Sequence, residues 1–296
     1  MHALIDFDIP KYSVGFACER NIYLRDGKEV TVKRGKEGME LHPWPEGEVE
    51  VFKGVRTIKD VVLDQKLLYG RLDVDPVANC LHSVKLTLQG IMKGAKATSF
   101  TGYVTKGECF RHDLLPVQRG PDGKLVLDAS GKPIGYKANR LSDPKPALIN
   151  DIQEYMIKQW DAVVCEGIEA DDALGIAQCA APPGQTIICT IDKDLDCIPG
   201  LHYNWNSYKI YEVTPDQALR HFWCQVMAGD NVDNIIGLKG VGMPTAIKRL
   251  KDIETKDLKQ AVLQAYLDAD RTEQDFNLNC KLIWILRKPL TEDYVK

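Results

Sequence analysis

The chain lacks any apolar run that reaches the roughly 18 residues needed to cross a bilayer, so no membrane-spanning helix is expected. Its nine cysteines include no Cys-X-X-Cys pair and no zinc-like spacing, which removes the sequence signature of a structural zinc site. No charged, apolar, small-residue leader opens the chain, because Met1 runs directly into an apolar and acidic stretch at residues 3–8. Reduced thiols in a cytoplasm are the expectation. Repeats and low-complexity tracts are missing too, and the composition is otherwise that of an ordinary soluble protein. At 296 residues the chain suits one large domain or two small ones, with enough length to bury a core without staples.

A strong charge of either sign is also missing, since 38 basic and 42 acidic residues give a net charge of -4. That sum hides a local excess. Eight acids (Asp6, Glu169, Asp171, Asp172, Asp192, Asp194, Asp230, Asp233) fall at candidate ligand positions, and removing eight from 42 leaves 34 against 38 bases, about +4. A phosphate-binding surface is compatible with that balance.

Most of these acids sit in three short blocks: Glu169-Ala170-Asp171-Asp172, Asp192-Lys193-Asp194 and Gly229-Asp230-Asn231-Val232-Asp233-Asn234. Carboxylates repel one another, so blocks that converge in a fold need cations between them, and divalent metal is the natural occupant. Each block also has a plainer reading. Acids at a helix start complement its dipole, and Asp192-Lys193-Asp194 is an ordinary polar turn after a strand. If that tripeptide stays extended, Asp192 and Asp194 face the same way. Glu169 and Asp172, one turn apart, are expected to share a helix face with Asp171 beside them. Asp196 reads as a solvated turn residue. The third block is no EF-hand, because it lacks the regular oxygen ligands and the closing glutamate.

Residues 3–8 read as a buried strand ending in acids. From about 21 to 75 the pattern changes to an insertion, with a hairpin over 23–32 turning at Asp26-Gly27 and a proline-rich loop at 42–45. Helical spacing predicts a helix over 77–92, followed by a strand near 97–104. Asp122-Gly123 and Ser130-Gly131 mark the turns of a small hairpin excursion ending at Tyr136. From Lys145 the chain alternates regularly: a helix to about 160, a strand at 162–165, a helix at 170–179 and a strand at 186–191. Such alternation predicts a parallel sheet, with chemistry gathered at the carboxyl ends of the strands. Thr214-Pro215 then starts a helix through Ala228, and helices are expected to dominate to the end.

Beyond the third acidic block lies Gly237-Leu238-Lys239-Gly240-Val241-Gly242, a glycine-punctuated link into a helix carrying Lys248, Arg249 and Lys251. Glycines let backbone amides approach a phosphate, and a helix start adds positive potential. A tight turn and a solvated basic face are the plainer readings. Phe110-Arg111 and Tyr136-Lys137-Ala138-Asn139-Arg140 supply aromatic and cationic groups suited to bases and phosphates.

Taken in order, the opening strand with Asp6, Phe110-Arg111-His112, Tyr136 to Arg140, the three acidic blocks and Gly240-Val241-Gly242 resemble the flap endonuclease / 5′-3′ exonuclease family. That group includes the 5′-nuclease domain of bacterial DNA polymerase I and stand-alone phage exonucleases. The resemblance covers the first strand and most of the chain from residue 77 onward.

It implies an α/β fold: a PIN-like mixed or parallel sheet flanked by helices over 1–200, and a helical, helix-hairpin-helix-like duplex-binding part over 201–296. It implies Mg²⁺ or Mn²⁺, two per site, with Asp6, Glu169, Asp171 and Asp172 around one position and Asp192, Asp194, Asp230 and Asp233 around the other. Lys137 and Arg140 match cations at the scissile phosphate, with Tyr136 the aromatic beside them. Arg111, Gly237, Lys239, Gly240, Gly242, Lys248 and Arg249 become DNA contacts, with K⁺ at the glycine turn. The substrate implied is DNA with 5′ ends or flaps, or RNA–DNA hybrid. The protein is expected to be a monomer in the cytoplasm, or in a host cytoplasm if phage-encoded.

Two departures stand out. Another aspartate usually follows the second strand of the family, and the segment equated with it here, Phe100-Thr101-Gly102-Tyr103, has no carboxylate. Residues 141–147 are short and proline-containing where larger relatives carry a helical arch. Two other readings stand beside it: a DNA-junction binder without catalysis, supported by the missing aspartate, and a single-strand RNase of the PIN type, which shares carboxylates at strand ends and against which the glycine turn argues.

Overall fold

In the computed structural model, which describes residues 1–291 except 45, 46, 56 and 129, the first apolar stretch forms strand β1 (His2–Asp6). It leads into helix α1 (Asp8–Ala17), strands β2 (Glu19–Arg25), β3 (Lys28–Arg34), β4 (Gly38–Pro43) and β5 (Glu50–Lys53), helix α2 (Ile58–Asp64) and strand β6 (Leu68–Val74). Helix α3 (Val77–Gly94), strand β7 (Ser99–Cys109) and helix α4 (Phe110–Leu114) come next. Then follow helix α5 (Ile149–Trp160), strand β8 (Val163–Gly167), helix α6 (Ala170–Ala180), and strands β9 (Thr186–Cys189), β10 (Gly200–Asn204) and β11 (Lys209–Val213). The last part holds helix α7 (Pro215–Ala228), the short strands β12 (Gly229–Asp230) and β13 (Ile235–Ile236), and helices α8 (Met243–Leu250), α9 (Leu258–Leu267) and α10 (Glu273–Ile283).

The chain divides into two compact units. One comprises Met1–Ile9, Thr87–Pro144 and Tyr155–Lys296; the other comprises Pro10–Leu86 and Lys145–Glu154. In the first, six strands run in the order β11-β10-β9-β1-β7-β8. All neighbours are parallel except β10 with β11. The central strand β1 is buried because both its edges and both its faces are covered, which explains its continuous apolar run. The sequence reading put a boundary near 200, but the sheet continues past it through β10 and β11. Helices do dominate after Val213. Thr214 caps α7, its hydroxyl accepting from the Gln217 amide while the Gln217 side chain accepts from the Thr214 amide. Trp223 of α7 stacks on Phe276 of α10 with ring centroids 5.9 Å apart, and the Tyr266 hydroxyl of α9 donates to the Val226 carbonyl at 2.6 Å.

The second unit holds an antiparallel sheet in the order β5-β4-β3-β2-β6. Val30, Val32, Met39, Leu41, Val61 and Leu67 form its own core. Asp26 and Gly27 both adopt positive φ, 52° and 77°, the geometry that a two-residue hairpin turn requires. The expected loop at 42–45 is instead strand as far as Pro43, because that residue ends β4 opposite Val30; Pro45 lies outside the described residues. No helix among the described residues is long and apolar enough to cross a membrane.

Candidate metal centre and nucleic-acid interface

The parallel strands carry their acids to one end of the first unit's sheet. Asp6 closes β1, Glu169 follows β8, and Asp192 follows β9. Asp6 is 3% exposed; its carboxylate accepts from the Asp8 amide at 3.0 Å and the Thr190 hydroxyl at 3.1 Å. Burial first, then the nearby Asp8 and Asp192, push its carboxyl up to about 7. Asp171 is held well above the usual carboxylate range by burial and by Asp6 and Asp192. Asp194 is pushed up to about 7 by burial and by Asp192, Asp230 and Asp233. Asp230 is raised by burial and by Asp233. Asp192 thus stands between two groups of acids and acts on both.

The chain does not stay extended through Asp192-Lys193-Asp194. It turns into a 3₁₀ helix over Asp194–Cys197, and the Asp192 carboxylate caps the turn by accepting from the Asp194 amide at 2.9 Å. Asp196 is not simply solvated either, since it accepts from the Tyr211 hydroxyl at 2.7 Å.

Asp172 does not join Asp171. It forms a capping box with Glu169, taking the Glu169 amide at 3.1 Å, and its side chain is 0% exposed. Arg111 meets it with two bonds of 2.7 and 2.8 Å, and the Leu286 amide adds a fourth at 3.0 Å. Every lone pair of that carboxylate is engaged, which leaves none for a metal. Arg111 is 3% exposed and also donates to the carbonyls of Leu282 and Trp284. Both expectations need correction. Arg111 is an internal pin holding the segment after α10, not a DNA-facing cation, and Asp172 is its counter-ion.

The segment from Tyr136 to Arg140 interlocks with the third acidic block. Tyr136 is 1% exposed, and its hydroxyl lies 2.9 Å from Glu169 Oε2 and 2.8 Å from Asp233 Oδ2. A hydroxyl has one proton, so Tyr136 serves one of these carboxylates at a time. Buried this way, it is a strut between two acids and has no face free to stack on a base. Lys137 adopts φ 53° and pairs with Glu169, with Asp233 3.6 Å from its ammonium. Burial opposes its charge, but Glu169 and Asp233 outweigh that and raise Lys137 above its ordinary value. Burial also works to raise Glu169, yet Lys137 and then Arg111 prevail and lower it. Arg140 donates to Asp233 at 2.6 Å and to the Val232 carbonyl at 2.8 Å.

Tyr136, Glu169, Asp171, Asp194, Asp230 and Asp233 line one cleft. No group of three or more His, Cys, Asp or Glu side chains among the described residues is arranged to hold an ion as it stands. The donor set nevertheless suits a hard divalent cation: its donors are oxygens, most of them carboxylate, and the mutual repulsion of those carboxylates is the energy a cation relieves.

Thr101 and Gly102, in the segment equated with the missing aspartate, lie within β7 and short of its end. Thr101 lies opposite Leu4 in the middle of β1, and its hydroxyl is 2.9 Å from a His2 ring nitrogen. A Cβ on Gly102 would stand 2.1 Å from the Phe7 ring. Strand β7 continues past Tyr103, the partner of Asp6, and the Thr105 amide donates to the Asp8 carboxylate at 3.2 Å. Asp8, which the sequence offered only as the end of a strand, therefore reaches the strand ends beside Asp6. Gln225, which also lines the cleft, has no local sequence signal.

The glycine turn joins β13 to α8. Gly237 packs where a Cβ would come within 2.2 Å of the Ala228 carbonyl carbon, so its glycine serves close backbone packing rather than phosphate. Gly240 adopts φ 74° with open space around it, and Gly242 caps α8 with its nearest neighbour atom 3.9 Å from an added Cβ. Lys239, Gly240, Gly242, Lys248 and Arg249 are exposed.

No family model matches the chain. It is 24% identical over 195 residues to a 5′-3′ exonuclease of Mycoplasma pneumoniae, covering 52% of this chain and 66% of that protein. It is 30% identical over 189 residues to the thermostable DNA polymerase I of Thermus aquaticus, covering 55% of this chain and 22% of the polymerase. The chain thus spans less than two thirds of either relative. Two solved structures, T5 5′-exonuclease with zinc bound and the bacteriophage T5 flap endonuclease in a pseudo-enzyme–product complex with DNA and metal ions, share its fold. Each gives a TM-score of 0.51 at 18% identity over 69% of this chain and 80% of the other. The sequence relatives include a 5′-3′ exonuclease, and the two solved structures share the fold.

Proposed function

We propose that this chain is a divalent-metal-dependent nuclease that hydrolyses DNA phosphodiesters near 5′ ends or flaps. The observation that carries the reading is the convergence of three acidic blocks and the Lys137–Arg140 cations on one cleft at the carboxyl ends of parallel strands. When bound, Mg²⁺ or Mn²⁺, two per site, would lower the pKa of an attacking water and offset charge on the phosphate. Asp6, Asp171, Asp192, Asp194 and Asp230 are the acids available to hold them, with Glu169 and Asp233 shared with the cations.

The remaining steps belong to the chain's own groups. Under this reading Lys137 and Arg140, paired with Glu169 and Asp233 at the cleft, would stabilise the phosphate as its charge grows. The exposed amides of the glycine turn and the cations of α8 would hold duplex backbone, with K⁺ at the turn carbonyls. RNA–DNA hybrid is a further substrate under this reading, and the working unit is a monomer.

The test is incubation with 5′-labelled duplex, flap, RNA–DNA and single-stranded RNA, with and without Mg²⁺. Metal-dependent release from 5′ ends of DNA supports the reading. Tight binding without cleavage at any Mg²⁺ or Mn²⁺ concentration replaces it with a junction binder, and cleavage of single-stranded RNA alone replaces it with a PIN-type RNase.

A further inference from the structure

Gln225 occupies an unusual position for a neutral polar side chain. It projects from α7, is 7% exposed, and lines the same cleft as Asp171, Asp194, Asp230 and Asp233. Its amide nitrogen donates to Asp194 Oδ1 at 2.6 Å. That bond fixes which way the amide faces, because the flipped rotamer would set two oxygens against each other. Its carbonyl oxygen Oε1 is then buried with no partner among the described residues. Leaving a buried acceptor unsatisfied costs on the order of 1–3 kcal/mol, so an oxygen held this way in a cleft of acids points to a missing donor.

The donor must suit a site crowded with negative charge. A side chain pinned by its nitrogen to a carboxylate, with its oxygen free, presents a neutral hard acceptor beside anionic ones. Amide carbonyls are regular oxygen ligands for hard cations and regular acceptors for the waters such cations carry. We propose that Gln225 is part of the metal centre: the bond to Asp194 orients its amide, and Oε1 receives the divalent cation or a water bound to it. This rests on the nuclease reading above and deepens it, adding to the cleft a residue that carries no charge.

Calorimetric titration of Mn²⁺ into the whole protein tests this without relying on turnover. Gln225→Met keeps the volume and loses both polar atoms; Gln225→Glu keeps an oxygen and loses the amide donor. The expected result is Mn²⁺ affinity about 10-fold to 100-fold weaker in Gln225→Met, the range for loss of an outer-shell partner. Gln225→Glu at pH 8 should bind at least as tightly as wild type. Wild-type affinity in Gln225→Met, with only a lower melting temperature of the metal-free protein, would make Gln225 a structural residue and overturn the proposal. Binding as weak in Gln225→Glu as in Gln225→Met would overturn it too, and Gln225→Glu decides alone if the Met variant does not fold. If wild type itself takes up no Mn²⁺, the nuclease reading falls and takes this inference with it.

Discussion

At the scale of single residues, Asp171 lines the cleft among other acids while Asp172, next to it in sequence, is buried against Arg111. Both belong to one block, and charge repulsion alone correctly marked that block as costly. Which carboxylate turns to the cleft and which to the interior depends on Arg111, 61 positions away in sequence, and no local spacing encodes that pairing. The same pairing sets a prediction. Arg111→Ala leaves Asp172 buried and uncompensated, so urea unfolding should show a loss of about 3–5 kcal/mol. A loss below 1 kcal/mol would mean that the pin carries no load. Lys137 belongs to the chemical step instead. Lys137→Ala should lower the single-turnover rate roughly 10²-fold or more at saturating DNA, and an unchanged rate with weaker binding would move it to the periphery.

Among elements, β8, α6, β9 and α7 were legible because their patterns are local, whereas β10 and β11 were not read. Thr214-Pro215 and its capping glutamine need only four residues of context, and Asp26-Gly27 only two. Elements whose identity depends on distant partners were not: β4 runs through His42 and Pro43 because β3 supplies its pairing. The glycine turn divides in the same way. Three glycines looked alike in sequence, yet Gly237 is required by the backbone of Ala228, Gly240 by its positive φ, and Gly242 by neither. Gly242→Leu should therefore weaken duplex binding in a fluorescence anisotropy titration while the melting temperature holds. Gly237→Ala should lower the melting temperature. Unchanged duplex affinity in Gly242→Leu would remove the turn from the DNA interface.

For the molecule as a whole, the sheet with its acids at the strand ends was readable from alternation. The second unit, with its own core, was readable only as an interruption. The acid cluster also makes stability depend on pH. Asp6 and Asp194 ionise near 4 when unfolded but at about 7 when folded, so they favour the folded state less and less as pH rises from about 4 through about 7. His202 and His221, held below their ordinary 6.5 by burial, act in the opposite sense below that value. Between pH 6.5 and 8.5 the acids work against the folded state, joined toward pH 8.5 by the thiols of Cys165, Cys189 and Cys197, which burial holds above their ordinary value. Metal-free protein should melt at a lower temperature at pH 8.5, Mn²⁺ should restore more there than at pH 6.5, and Asp194→Asn should flatten the difference. A metal-free melting temperature that holds or rises across this window would contradict the crowding of the acids.

The central claim is that this cluster cleaves phosphodiesters by holding divalent metal. The most direct measurement is single-turnover cleavage of 5′-labelled duplex DNA in Mg²⁺ by wild type, Asp192→Ala and Asp194→Ala, with DNA affinity followed alongside. Cleavage should be lost in both variants while DNA binding survives or tightens, because each change removes a ligand and relieves repulsion against phosphate. Near-wild-type turnover in both variants would contradict the account.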